Sequence, residues 1–333
     1  MREAMFGRRG LACLALGATA ALGVPAVHAQ TAQRWTPDRP LRLVVPFAAG
    51  GPADIFGRIF AEALSTQLGQ PAVIENRTGA GGLIGTDAVA KAAPDGYTLA
   101  FTGAGALAIA PAMPTRMPFD VFRDLAHLTM VVRVPEVLVV NARGSQTALQ
   151  ELVAAAKAKP GDLSYGSAGV GSITHLASAL FAKEAGIRAE HIPYRGVAPA
   201  VTDLLAGRIA WVIADVPVLQ PHIESGALKP LAVTTGRRVP TLQQVPTTAE
   251  LGLPRVNSDN WYGLAVPSAT PAPVQQRLQE AALAALRAPA LVQTFAERGG
   301  EAAPMNTEET LTFLRAEGEK WAPLVREAGV ESF

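Results

Sequence analysis

Residues 41–52 of the chain read LRLVVPFAAGGP, and this stretch decides how the rest of the sequence is interpreted. The apolar run from Leu41 to Val45 stops at Pro46, and a pair of glycines follows at Gly50 and Gly51. Beyond the glycines, apolar residues recur at helical spacing, at Ile55, Ile59, Ala63, Leu64 and Leu68. The stretch therefore predicts a strand, a glycine loop and a helix in direct succession.

The same alternation of strand and helix continues along the chain. Short apolar runs predict further strands at residues 72–75, 97–102, 137–140, 163–167, 191–194, 209–214 and 231–235. Stretches with helical spacing predict helices at residues 84–93, 148–158, 173–185 and 198–206. Strands that alternate with helices imply a parallel sheet covered on both faces, so we predict an α/β fold.

The order of the elements also predicts two lobes. A second strand series starts at Val137. After Trp261 the chain has a proline-rich segment and then three helical stretches, without another strand series. Helices without strands must pack on a sheet that already exists, so we assign this tail to the first lobe. The predicted lobes are residues 30–134 with 261–333, and residues 135–260. A chain that crosses twice between lobes, near residues 133–135 and 259–260, makes a hinge and a cleft.

The N-terminus has the features of an export signal. Arg2, Arg8 and Arg9 precede an uncharged apolar run over residues 11–24, and Val27-His28-Ala29 fits signal cleavage after Ala29. The apolar run is shorter than the roughly 20 residues that a spanning helix needs. We therefore expect an exported, periplasmic protein; the pair Arg8-Arg9 leaves both Sec and twin-arginine export open.

Charge and cysteine content exclude several classes of partner. Removal of residues 1–29 takes Arg2, Arg8, Arg9 and Glu3 from 29 basic and 28 acidic side chains, which leaves 26 basic against 27 acidic. Near neutrality does not indicate a nucleic-acid or membrane-surface partner, and we expect a monomer. Cys13, the only cysteine, lies in the signal, so the mature chain has no disulfide or thiolate metal site.

Three glycine loops at strand ends are the candidate binding sites. Open α/β sheets bind ligands outside the carboxyl ends of their strands, and amides at a helix N-terminus favour an anion. The first loop is 46–51, the second 102–106 and the third 167–172, and Pro52 suits the first helical turn. Each loop is alternatively an ordinary tight turn, because glycine is the default wherever φ is positive. We assign the glycines at 79–82 a structural role.

Several side chains near these loops have two interpretations. Asp54 either caps the first helix or orients the glycine loop. Asp215 either caps the helix after its strand or accepts a ligand ammonium or hydroxyl group. Arg195, which follows Tyr194 at a strand end, is either a solvated charge or the partner of a second carboxylate.

Enzyme motifs are absent from the sequence. There is no G-x-S-x-G elbow, no H-E-x-x-H, no phosphate-binding G-x-x-x-x-G-K-[ST], and no G-x-G-x-x-G after a strand. The four mature histidines show no metal-ligand spacing, so we expect neither metal nor cofactor. One enzyme alternative stays open, a hydrolase that uses Ser167 or Ser172 with His175, although a helix histidine with a structural role explains that spacing too.

The chain resembles the Bug family, the substrate-binding receptors of tripartite tricarboxylate transporters. The matching motifs span nearly the whole mature chain: Pro46-Phe47 with Gly50-Gly51 and Asp54, Glu75-Asn76-Arg77, Pro94-Asp95-Gly96-Tyr97, Tyr165-Gly166-Ser167 with Gly171 and His175, Pro193-Tyr194-Arg195-Gly196, Val245-Pro246-Thr247, and Trp261-Tyr262-Gly263. The resemblance implies a type II periplasmic-binding-protein fold, with two mixed or parallel sheets flanked by helices, a two-strand hinge and no catalysis. Members often have Asn-Pro where this chain has Ala110-Pro111, and Thr where it has Ser172.

In this family, backbone amides of the first loop and the second-lobe serine-glycine loop hold a ligand carboxylate. We therefore expect a receptor that delivers a small carboxylate to membrane transporter subunits. The carboxylate is a di- or tricarboxylate, an acidic amino acid or an aromatic acid, and a sensor for a signalling partner is the alternative. The predicted ligand-binding residues are Phe47, Ala49, Gly50, Gly51, Asp54, Thr102, Ala104, Ser167, Ala168, Gly171, Ser172, His175, Tyr194, Arg195 and Asp215.

Overall fold

The computed structural model describes residues 35–114 and 116–327. The predicted signal peptide and its cleavage after Ala29 lie outside these residues. The strands are β1 (Leu41–Val45), β2 (Ala72–Asn76), β3 (Thr98–Gly103), β4 (Leu125–Asn141), β5 (Ser164–Ser167), β6 (Glu190–Pro193), β7 (Trp211–Asp215), β8 (Leu228–Val233), β9 (Asp259–Pro267) and β10 (Glu301–Ala302). The helices are α1 (Pro52–Leu68), α2 (Leu83–Ala90), α3 (Leu149–Ala158), α4 (Ile173–Ala185), α5 (Val197–Leu205), α6 (Val216–Glu224), α7 (Ala272–Arg287), α8 (Pro289–Glu297) and α9 (Thr307–Glu327).

The strands form a mixed sheet in the order β2-β1-β3-β9-β4-β7-β5-β6, and β8 and β10 also pair with β4. β1 runs parallel to β2 and β3, and β5 runs parallel to β6 and β7. β9 is antiparallel to both β3 and β4. The predicted α/β class with mixed strands is confirmed, and the two predicted strand series join through β4.

The 17-residue strand β4 is the shared element of the sheet. Residues Leu125 to Pro135 pair with β9, and Glu136 to Asn141 pair with β7 or β8. The sequence predicted only 137–140 as strand. Most residues of β4 are buried on both faces, so its first part lacks the apolar-polar alternation that marks a half-exposed strand.

Helices cover both faces of the sheet. On β1, β3 and β9, one buried cluster involves α1, α7 and α8, and a second involves α2, α9 and residues 104–110. On β4, β5 and β7, the corresponding clusters involve α5 with α6, and α3 with α4. Phe56 and Phe60 of α1 are fully buried, and such side chains contribute roughly 1.5–3 kcal/mol each.

The sequence predicted a helix after Asp215 without bounds, and the structure places it as α6 from Val216 to Glu224. Pro217 and Pro221 both lie in it, and proline inside a run is normally a sign that no helix continues. Pro217 occupies the first turn, where its missing amide costs nothing. Among the described helices, none has the length and apolar character required to span a membrane.

Candidate functional site

The first loop, residues 46–51, connects the end of β1 to the start of α1. Ala48, Ala49 and Gly50 are exposed, whereas Phe47 and Gly51 are half-buried. Gly50 has φ of 81°, in the left-handed region where a side chain is strained. The loop therefore presents backbone rather than side chains to its surroundings, at the N-terminal end of a 17-residue helix.

The Asp54 side chain fixes the first loop through hydrogen bonds. Its buried carboxylate accepts hydrogen bonds from the Gly50 amide at 3.0 Å, from Arg58 Nε at 3.0 Å and from Asn76 Nδ2 at 2.9 Å. Asn76 Nδ2 also donates to the Phe47 carbonyl at 3.0 Å. Asp54 therefore lies in the first turn of α1 and also bonds to the glycine loop, so its position fits both of the predicted roles.

The hydrogen bonds also set the charge state of Asp54. Burial alone would raise the pKa of this carboxyl, but the bonds from Arg58, Gly50 and Asn76 outweigh burial and lower the pKa below its usual value. Asp54 is therefore ionised. The Gly50 amide donates its hydrogen bond to this carboxylate and is not free to bind a ligand. The Gly51 amide makes only a long bond of 3.4 Å to the Ala48 carbonyl. In the described part of the chain, the amides of Phe47, Ala48 and Ala49 have no acceptor.

The second loop is packed inside the protein. Thr102 and Ala104 are both buried, and Thr102 Oγ1 lies 2.8 Å from Thr86 Oγ1 of α2. A Cβ added to Gly105 would lie 2.6 Å from the Gly81 carbonyl oxygen, so this loop packs tightly on residues 79–82. A Cβ added to Gly82 would in turn lie 3.2 Å from the Phe47 ring. Both segments support the first loop, and the predicted Thr102 side chain faces α2 instead of an open site.

The third loop, residues 167–172, uses most of its donors internally. The Ala168 amide donates to Thr174 Oγ1 at 2.8 Å, the Gly169 amide to Ser167 Oγ at 3.1 Å and the Gly171 amide to His175 Nδ1 at 3.2 Å. Ser172 Oγ donates to the Gly169 carbonyl at 2.7 Å and caps α4 by accepting the His175 amide. These groups were expected to converge on one acceptor; in the structure they make the loop rigid.

Two stacked histidines form the base of the third loop. The rings of His175 and His191 lie 3.7 Å apart with an interplanar angle of 8°, and Ser167 Oγ lies 2.6 Å from His191 Nε2. Burial, followed by the His191 charge, lowers the pKa of His175 to about 3, and burial lowers the pKa of His191 to about 4. Both are neutral at pH 7. The sequence missed His191, which parallel pairing of β5 and β6 brings to Ser167.

The remaining predicted residues lie at the ends of β6 and β7. Tyr194 donates its hydroxyl to Asp203 at 2.7 Å, and burial with this carboxylate raises its pKa to about 12. The Arg195 side chain is exposed. The Gly196 amide donates to the Ala168 carbonyl at 3.2 Å, which places Arg195 beside the third loop.

Asp215 is buried at the end of β7, and its side chain does not cap α6. Its Oδ2 accepts a hydrogen bond of 3.1 Å from Asn260 Nδ2, which also donates to the Tyr262 hydroxyl at 2.9 Å. The Tyr262 ring meets Phe47 edge-on at 6.0 Å between centroids. A continuous set of contacts therefore links Asp215 to the first loop.

Other contacts bring the third loop to the second. Ile173 and Leu176 of α4, together with Val170, share a buried cluster with residues 104–110.

The described residues include no group of three or more histidine, cysteine or acidic side chains positioned to hold a metal ion. A cavity of about 910 Å³ lies beside Arg133 and Asp259, but it is lined by none of the predicted site residues.

The fold is that of a solute-binding protein of the periplasmic class, because it is similar to the solved structure of periplasmic binding protein BugD, at a TM-score of 0.82 and 34% identity, covering 89% of this chain and 99% of the other. Residues 56–330 match the sequence family described as the tripartite tricarboxylate transporter family receptor, so the chain belongs to that family. It is 39% identical to Protein BugT of Bordetella pertussis, over 94% of this chain and 95% of that protein.

Two solved structures with ligands are similar over nearly the whole chain. One is an R. palustris protein with adipate, at a TM-score of 0.84 and 33% identity, covering 88% of this chain and 98% of the other. The second is MatC from Rhodopseudomonas palustris with bound malate, at a TM-score of 0.80 and 27% identity, covering 87% of this chain and 99% of the other. The predicted family and its receptor fold are confirmed.

Proposed function

We propose that this receptor binds a small dicarboxylate with the first loop and delivers it to a tripartite transporter. The observation that carries the proposal is the pairing of Asp54 with Gly50, which holds a loop whose Phe47, Ala48 and Ala49 amides have no acceptor among the described residues. Amides at a helix N-terminus bind anions, and the α1 dipole adds a favourable field. The ligand carboxylate accepts from Phe47, Ala49 and Gly51.

The dicarboxylate class is supported by the related proteins solved with adipate and with malate, which each carry two carboxyl groups. In this chain the exposed Arg195, beside the third loop, is the proposed partner of the second carboxylate. The third loop, with Ser167, Ala168, Gly171 and Ser172, forms the opposite wall of the site. Its internal hydrogen bonds keep that wall in place before the ligand arrives.

The mechanism we propose is lobe closure. The two proposed lobes are those predicted from the sequence, and the proposed hinge lies where Pro135 of β4 pairs with Asp259 of β9. Closure desolvates the carboxylate and strengthens its amide hydrogen bonds. Small-angle X-ray scattering tests this step: saturating ligand reduces the radius of gyration, and an unchanged radius would contradict closure.

The mature receptor is proposed to start after Ala29 in the periplasm and to act as a monomer without catalysis. Calorimetric titration of this form with adipate and malate tests the binding function. Saturable heats at a stoichiometry of about one are expected, and their absence for every carboxylate tried would contradict the proposal. A sensor role is distinguished by whether the bound form engages transporter subunits or a signalling protein.

One observation favours a second function, hydrolysis. Ser167 Oγ lies 2.6 Å from His191 Nε2, within reach of a general base. However, Ser167 Oγ also bonds to Gly169, and no carboxylate orients His191 in the described part of the chain. Activated ester substrates test this: we expect no turnover, and steady hydrolysis abolished by His191→Ala would favour an enzyme.

A further inference from the structure

Two carboxyl groups face each other inside the sheet. Glu136 of β4 lies directly opposite Asp215 of β7 in the antiparallel register. Side chains of such a pair share one face of the sheet, with Cβ atoms about 4.5–5.5 Å apart. The exposed fraction is 0% for Glu136 and 2% for Asp215. Two buried ionised carboxylates at this separation repel strongly, because water does not screen them.

Each carboxyl group has one oxygen with a partner and one without. The Ser258 hydroxyl donates to Glu136 Oε2, and Asn260 Nδ2 donates to Asp215 Oδ2. Glu136 Oε1 and Asp215 Oδ1 are buried and have no hydrogen-bond partner. Buried acceptors without a donor are costly, and neither of these two oxygens has one.

The basic side chains near the pair form hydrogen bonds with other carboxylates. Arg133 donates to both carboxylate oxygens of Asp259, at 2.5 and 3.0 Å. Lys320 of α9 donates to Glu317 at 3.1 Å, and Glu317 also accepts from two tryptophan side chains. Asp259 adds further negative charge near the pair. Within residues 35–114 and 116–327, no lysine or arginine forms an ion pair with Glu136 or Asp215.

We propose that Glu136 and Asp215 together bind one proton at neutral pH, so that the receptor contains a proton site beside its ligand site. A proton on either carboxyl group removes one of two uncompensated buried charges and leaves a neutral group where an ionised oxygen would have no donor. Burial, and for Glu136 also the Asp215 charge, raises the pKa of both carboxyl groups above their usual values, which agrees with a retained proton.

The proton site is also linked to ligand binding, and this part rests on the proposed function. Asn260 connects Asp215 to Tyr262, whose ring contacts Phe47 in the first loop. An anion bound to that loop brings negative charge near the pair and increases its proton affinity. By reciprocity the bound proton favours the anion to the same extent. Carboxylate affinity is therefore expected to fall as pH rises above neutral.

Infrared spectroscopy of the ligand-free mature protein tests the proton site. A carbonyl band of a protonated carboxylic acid is expected at pH 7 in the wild type and in the control Glu190→Gln, whose side chain is exposed. Glu136→Gln and Asp215→Asn, which are nearly isosteric, lose this band. A wild type without the band, or a band that persists in both variants, overturns the proposal. If the wild type shows no band and its free energy of unfolding depends on sodium concentration, the pair binds a metal cation. That result also overturns the proposal.

Calorimetry with adipate in buffers of different ionisation enthalpy, at pH 8, tests the linkage. The wild type and Glu190→Gln take up a proton on binding, and Glu136→Gln takes up none. Binding without proton uptake by the wild type overturns the linkage and leaves the binding function intact. If no carboxylate tried binds, the proposed function and the linkage both fail, whereas the infrared result still decides the proton site.

Discussion

The Asp54 carboxylate lies 3.0 Å from the amide nitrogen of Gly50, so a side chain in the first turn of α1 holds the loop that precedes the helix. An acidic group beside an anion site is acceptable because Arg58 and Asn76 also bond to it. The loop is therefore organised before any ligand binds. Preorganisation of this kind reduces the conformational cost of binding.

Replacement of Gly51 separates a binding loop from a simple turn. Gly51 has an ordinary φ of −81°, and a Cβ there meets only the Ala48 carbonyl oxygen at 3.4 Å. Gly51→Leu should therefore change the free energy of unfolding by no more than about 0.5 kcal/mol. Its side chain covers the loop amides, so calorimetry should show carboxylate affinity reduced by more than about tenfold, or 1.4 kcal/mol.

The matched control is Gly318→Leu in α9, where an added Cβ has no neighbouring atom within 4 Å. This variant should bind carboxylates like the wild type. Unchanged affinity in Gly51→Leu would mean that the first loop is only a turn.

Removal of the Asp54 carboxylate should cost both stability and binding. Asp54→Ala leaves the Gly50 amide without its acceptor and removes one of the two acceptors of Asn76 Nδ2, and the expected loss in free energy of unfolding is about 1–3 kcal/mol. Chemical denaturation measures this loss. Asp87→Ala is the control because it also removes an i,i+4 ion pair, with Lys91, and should cost only about 0.3–0.5 kcal/mol. Equal losses in the two variants would contradict the role of Asp54.

Much of this first region was predictable from the sequence. The apolar run of β1, the glycines and Pro52 predict strand, loop and helix, and the structure places α1 from Pro52 to Leu68. The roles of Asp54 and Asn76 were harder to predict. Asn76 ends β2, and only the parallel pairing of β2 with β1 brings it to the loop.

Stability should fall in acid because of the stacked histidines. The folded-state pKa values of His175 and His191 lie below the ordinary value of 6.5, so folding favours their neutral forms. Their contribution is complete above pH 6.5 and is lost as pH falls towards 4 and 3. His191→Phe keeps an aromatic ring that cannot ionise. Between pH 6.5 and 4, the free energy of unfolding of this variant should fall by about 1–3 kcal/mol less than that of the wild type.

Denaturation at several pH values measures this difference. His222→Phe in α6 is the control and should keep the acid loss of the wild type. An identical acid loss in His191→Phe and the wild type would show that the stacked pair does not titrate as described.

The third loop shows why side-chain chemistry was less predictable than the fold. Ser172 and His175 suggested a contact from their helical spacing, and Ser172 indeed accepts the His175 amide. The side-chain contact between serine and histidine is instead that of Ser167 with His191, 24 residues apart. Glu136 and Asp215 are likewise brought together only by strand register. Sequence spacing predicts contacts within one helix or strand, whereas contacts between elements depend on the strand register of the sheet.

The most direct test of the central claim is a thermal-shift titration of the mature protein against carboxylates, sugars and metal ions. Adipate or malate should raise the unfolding temperature, with a stabilisation that grows as RT ln(1 + [L]/Kd), or about 2.7 kcal/mol at 100 times Kd. The same concentrations of these ligands should stabilise Gly51→Leu less than the wild type. Stabilisation by sugars or metal ions, with none from any carboxylate, would contradict the account.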